Sequence, residues 1–122
     1  MVTTLKADIE RPETLKSTVV KVPTGYGNLY VSLDEDDTGR LVEMRAIIGK
    51  SGKSITAKAE AISRMVSLAL RHDIPIPEIV DQLMDITGEA IVAWKDTTIK
   101  SIPDAIAKVL ANYLTEKEEK NE

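Results

Sequence analysis

The sequence predicts an α+β fold, an antiparallel β-hairpin or small sheet packed against about three helices in a single domain. Two patterns support this. Up to Ile48 the chain is built of β-branched segments with alternating polarity, whereas beyond Ile55 the apolar residues recur at steps of three and four. No segment repeats, and strands come before helices rather than alternating with them, which is the order of an α+β class. A length of 122 residues suits one domain with a real core.

Residues 1–11 are weakly patterned and read as an N-terminal arm or a short edge strand, and residues 12–114 form the domain. Pro12 opens the segment Leu15–Thr24, whose β-branched residues suit an extended strand. Beyond Gly25, Tyr26 and Gly27, the alternation of Asn28–Leu33 is that of a half-buried strand. The acidic run Asp34–Asp37, followed by Thr38 and Gly39, predicts a hairpin turn, and Leu41–Ile48 is the returning strand. A calcium loop would continue with regularly spaced ligands and end on a glutamate, which this run does not.

The first helix carries Ile55, Ala59, Ile62, Val66 and Ala69 or Leu70 on one face. Met65 and Leu68 widen that stripe and predict burial on more than one side, and Ala57, Ala59 and Ala61 permit close approach. Arg71 and His72 fall where the helix should end, a favourable place for positive charge, so His72 reads as a surface residue rather than a base. Pro75 and Pro77 punctuate the chain. Glu78–Ile86 then reads as a second helix closed by Gly88, and Ile91–Trp94 as a short strand or extended linker. In the third helix Pro103 suits the first turn, Asp104 complements the dipole, and Ile102, Ile106, Val109 and Leu110 are the buried positions. Residues 115–122, TEKEEKNE, read as a charged, frayed tail.

Composition removes several functions. A formal charge of −4 argues against a general DNA or RNA binder. With no cysteine and one histidine, disulfides, thiolate metal sites and histidine-based metal centres are excluded, and no cofactor is expected. No apolar run approaches membrane-spanning length and no signal-peptide core is present, which points to a cytoplasmic protein with no membrane partner. Carboxylates are plentiful, but no pair has a spacing that singles it out for acid–base work, so a small enzyme such as a phosphodiesterase is the weakest reading. The aromatic residues are few: Tyr26, Tyr30, Trp94 and Tyr113.

The segment most suggestive of function is Lys50–Ser54. Gly49 and Gly52 let the backbone turn tightly, Lys50 and Lys53 bring positive charge, and Ser51 or Ser54 is placed to cap the helix that follows. Free N–H groups and the positive dipole end then face the loop, an arrangement that holds phosphate or carboxylate without chemistry. A solvated turn is the competing reading. The phosphate loop of nucleotide hydrolases is ruled out, because its first glycine would stand at Ile47.

The runs RPETLKSTVVKVPTGYGNLYVSL, GKSGKSITAKAEAISRMVSLALRHDI and KSIPDAIAKVL resemble the C-terminal module of adenosylcobalamin-dependent ribonucleotide reductases, named for a Thr-Ser-Cys-Pro-Asp motif. The motif's cysteine falls at Ile102 while Ser101, Pro103 and Asp104 remain, so a metal or redox role for it is lost. The reductase barrel has no place in 122 residues, and the resemblance implies a freestanding module. In overall plan the chain is also similar to bacteriophage proteins of the first Thoeris anti-defence family, oligomers that sequester nucleotide immune signals without cleaving them. Together these imply a non-catalytic homo-oligomer holding a small phosphorylated, nucleotide-type ligand. An accessory module related to ribonucleotide reductase is the alternative. If the Gly25–Asn28 turn, the lysine loop and the start of the third helix converge, the ligand residues are Tyr26, Asn28, Lys50, Ser51, Gly52, Lys53, Ser54, Ser101 and Asp104. Asp104 is expected to cap its own helix in preference to reading a ribose hydroxyl.

Overall fold

The computed structural model describes residues 10–88 and 90–120, so most of the expected N-terminal arm lies outside the described residues. Strands β1 (Lys16–Thr24), β2 (Gly27–Glu35) and β3 (Leu41–Ile48) form an antiparallel sheet in the order β1-β2-β3. The alternation read from the sequence sets its two faces. Val22, Leu29, Val31, Leu33, Met44, Ala46 and Ile48 are buried, while Val19, Tyr30 and Ile47 stand on the exposed face. Thr24 pairs with Gly27 across a two-residue turn, and Gly27 takes the left-handed φ of 115° that glycine tolerates best. The turn expected over Asp34–Asp37 starts later: Asp34 and Glu35 still belong to β2, opposite Ser17 and Lys16, and the chain turns only from Asp36. Asp36 Oδ1 accepts from the Thr38 N–H, the Thr38 hydroxyl and the Arg40 N–H, and these bonds hold its carboxyl below the usual carboxylate range.

Helix α1 (Lys53–Arg71) lies beside β3, the open edge of the sheet. Ser63 Oγ accepts from the Ala46 N–H at 2.8 Å. Ser67 Oγ accepts from the Met44 N–H at 3.1 Å and donates to the Met44 carbonyl at 2.8 Å. Two hydroxyls thus satisfy strand groups that an edge would otherwise leave unpaired. The broad burial expected of α1 is not found. Ala59, Ser63, Val66 and Leu70 are buried, but Met65 is 66% and Leu68 40% exposed, and of the three alanines only Ala59 is buried. The helix spends its contact face on the strand edge rather than between two layers.

Helix α2 (Ile76–Leu83) starts two residues before the expected Glu78, with Pro75 at its N-cap, and stops short of the expected Ile86. The segment at 91–94 is strand β4 (Val92–Trp94), and it has a partner not foreseen, β5 (Thr97–Ile99). Helix α3 (Ile102–Lys120) is the centre of the domain, touching β1, β2, β5, α1 and α2. Every residue from Ile102 to Ala107 is buried, and the expected core positions Ile102, Ile106, Val109 and Leu110 are at most 2% exposed. Each such aliphatic side chain contributes about 1.5–3 kcal/mol by leaving water. The helix runs through Lys120, into the segment expected to fray, because Lys117 Nζ binds Glu35 Oε2 at 2.7 Å and anchors the last turns to the sheet. No helix among the described residues is long and apolar enough to cross a membrane.

Candidate functional site

The β1–β2 turn is the hub of one end of the molecule. The Asn28 carbonyl accepts from the Gly49 N–H at 3.2 Å, which sets the turn against the lysine loop. On its other side Gly25 lies so close to Ala90 that any Cβ would collide with it. The Gly88 N–H in turn donates to the Lys100 carbonyl at 2.7 Å, just before α3. The turn thus touches the lysine loop directly and is linked to the start of α3 by way of Ala90 and Gly88, and the side chains of the three segments have very different exposure.

Lys50, Gly52, Lys53, Ser54 and Asn28 are exposed, while Ser51 and Tyr26 are half-buried. Tyr26 packs against the core. Neither Ser51 nor Ser54 caps α1. The N-cap is Gly52 in an extended conformation, with no side-chain cap and no acidic residue in the first turn. The serine hydroxyls flank the cap position on the wrong side or lie within the helix, so the capping expectation is corrected. The consequence favours anions. The first N–H groups of α1 receive no side-chain cap, two lysines stand beside them in sequence, and beyond its chain neighbours no atom among the described residues lies within 4 Å of where a Cβ on Gly52 would be.

The start of α3 is the opposite case. Ser101, 8% exposed, is its cap: Ser101 Oγ accepts from the Asp104 N–H at 3.1 Å and donates to the Ile86 carbonyl at 2.6 Å. Asp104 is fully buried. Its Oδ1 accepts from the Asp85 N–H and its Oδ2 from the Lys100 N–H, both at 2.8 Å, and Lys108 Nζ pairs with Oδ2 at 2.8 Å. Asp104 thus fastens the α2–β4 and β5–α3 connections together instead of capping its own helix, and every bond it makes is internal. Lys108 also donates to the Thr98 carbonyl. With this end closed, Ser101 and Asp104 offer no surface to a ligand, and the open positive end belongs to α1.

Two hollows lie elsewhere. A groove of about 1030 Å³ runs between the exposed sheet face and α1, where Arg11 pairs with Glu43 at 3.2 Å and Arg64 with Glu60 at 3.4 Å. A smaller cleft of about 170 Å³ lies between β1, the β4–β5 turn and α3, and holds Trp94 and Tyr113. Sequence reading missed this cleft because only the unforeseen second hairpin brings Trp94 to α3. The Tyr113 hydroxyl donates to Glu35 Oε2, and burial together with this carboxylate raises its pKa far above the ordinary tyrosine value. Tyr113 should therefore keep its proton until the fold opens, read in an alkaline titration as the tyrosinate absorbance that Tyr113→Phe removes. Ionisation of Tyr113 below the unfolding pH would contradict this contact.

A family model for the TSCPD domain matches residues 3–114, nearly the whole chain. No curated protein and no solved structure gives a significant match. The residues that fill the motif positions, Ser101, Pro103 and Asp104, are those that build the closed start of α3. The chain belongs to the TSCPD domain family.

Proposed function

We propose that this protein is a non-catalytic binding module that holds a small phosphorylated, nucleotide-type ligand at the amino end of α1 and so sequesters it, as an anti-defence sponge sequesters an immune signal. The supporting observation is the uncapped first turn of α1, open in front of Gly52 and flanked by Lys50 and Lys53. Aligned N–H groups and two ammonium groups bind an anion by charge and hydrogen bonding alone, and the reading asks no chemistry of the loop. In the same reading a second copy covers the exposed Met65 and Leu68 of α1, giving a homo-oligomer, which sedimentation at micromolar concentration tests directly. The TSCPD match favours one other reading, an accessory module associated with ribonucleotide reductase.

The test is calorimetric. Pyrophosphate should bind the parent protein, and Lys50→Glu with Lys53→Glu should weaken it by roughly tenfold or more, since two attractive charges become repulsive. The thermal midpoint should hardly move, because both side chains are exposed. Equal pyrophosphate affinity in both proteins would reduce the loop to a turn.

A further inference from the structure

We infer that the cleft between β1, the β4–β5 turn and the second half of α3 is a separate binding site for a planar heteroaromatic ring with an anionic tail, the chemistry of a nucleoside monophosphate. The cleft lies toward the Lys16–Glu35 end of the β1–β2 ladder, whereas the lysine loop lies at the Thr24–Gly27 end. It therefore stands independently of the function proposed above.

The cleft concentrates what the rest of the chain lacks. The protein has four aromatic residues, one Trp and three Tyr, and two of them, Trp94 and Tyr113, line this one cleft. Its floor is aliphatic, formed by Val20, Leu33 and Val109, and a volume of about 170 Å³ accepts a ring but not a whole nucleotide. A sugar and phosphate would lie outward, on the rim. That rim is basic in an acidic protein: Lys16, Lys95, Lys117 and Lys120 stand there against Glu35 and Glu116, although the chain as a whole carries −4. Aromatic walls with a basic mouth are the combination that holds a base by stacking and its phosphate by charge.

Two details sharpen the assignment. Lys95 occupies the left-handed backbone region at φ 53°, a conformation that side-chain-bearing residues avoid, and from there its Nζ sits 4.8 Å from the centre of the Trp94 ring. A ligand ring stacking on Trp94 would displace that ammonium from the ring toward the anionic tail. Tyr113 and Lys117 both bind Oε2 of Glu35, which leaves Oε1 as an acceptor for a ring N–H or amino group. Asn112, also in the lining, can read a ring edge as donor or acceptor.

Trp94 is the only tryptophan, so its emission reports on the cleft directly. Adenosine 5′-monophosphate should quench it saturably, and adenosine and ribose 5-phosphate, which each lack half of the chemistry, should bind at least roughly tenfold more weakly. Lys95→Glu combined with Lys120→Glu should weaken the monophosphate by about tenfold or more, while Lys50→Glu with Lys53→Glu should leave the quench unchanged. Trp94→Leu, followed by calorimetry, should lose the binding while keeping a cooperative melt. No saturable quench at millimolar monophosphate would overturn the proposal. So would equal binding of adenosine, loss of the quench on reversing the loop lysines, or unchanged affinity in Trp94→Leu.

Discussion

Replacing Asp104 with alanine should destabilise the protein by about 3–5 kcal/mol, the range for breaking a buried ion pair from one side. The carboxylate is fully buried, and its removal strands the N–H groups of Asp85 and Lys100 and takes the nearest anion from Lys108, which is itself only 11% exposed. Lys108 keeps the Thr98 carbonyl and, at 3.7 Å, Asp85, so the loss should not exceed that range. Asp85 also sits at φ 63°, a conformation held in place by its bond to Asp104. For a domain of ordinary stability, about 5–15 kcal/mol, this is a large fraction of the whole, and the midpoint should fall by on the order of 10 °C. Asp104→Asn should cost about 2 kcal/mol, because its amide places a donor against a backbone donor. That exceeds the roughly 1 kcal/mol expected of a simple helix cap. An asparagine variant melting with the parent would show that the carboxylate does not join these loops.

The second large effect is expected at the sheet edge. Ser63→Ala with Ser67→Ala removes the partners of the Ala46 N–H and of both Met44 backbone groups. Unsatisfied buried groups cost about 1–3 kcal/mol each, water can replace the half-buried Ser67 hydroxyl in part, and alanine's helix propensity returns up to about 0.5 kcal/mol per site. The net loss should be about 1–3 kcal/mol in denaturant unfolding, most of it from Ser63, which is 5% exposed. The double variant should also self-associate more readily, since β3 regains open edge groups. Stability equal to the parent would mean that these hydroxyls are incidental to the packing of α1.

The legible parts of the fold were those fixed by local pattern. Of the three long strands, β1 was readable from its β-branched residues, β2 from its alternation and β3 as the return from a hairpin turn, and α1 and α3 from the spacing of Ile55, Ala59, Val66, Ile106 and Leu110. What escaped was decided at a distance. Helix α2 ends early where Asp85 turns to give its N–H to Asp104, nineteen residues on. Strand β5 was hidden because the Lys95–Asp96 turn contains no glycine or asparagine and each strand has only three residues. Ser63 and Ser67 look like surface positions of a helix until β3 is set beside them. At the candidate site the glycine and lysine positions were readable, but the cap was not. Sequence spacing placed serines near the start of α1 without showing which backbone conformation Gly52 would take. Ser101 and Asp104 marked a helix start correctly, yet only the packed structure shows that start sealed.

The most direct test of anion binding at α1 is an amide NMR titration with pyrophosphate, a ligand with no ring to engage the Trp94 cleft. The account predicts that the largest shifts fall on Ser51–Thr56 and saturate, with Gly49 and Asn28 following through their shared hydrogen bond. Shifts that centre on other segments while the Ser51–Thr56 amides stay fixed, or no saturable shift at all, would contradict it.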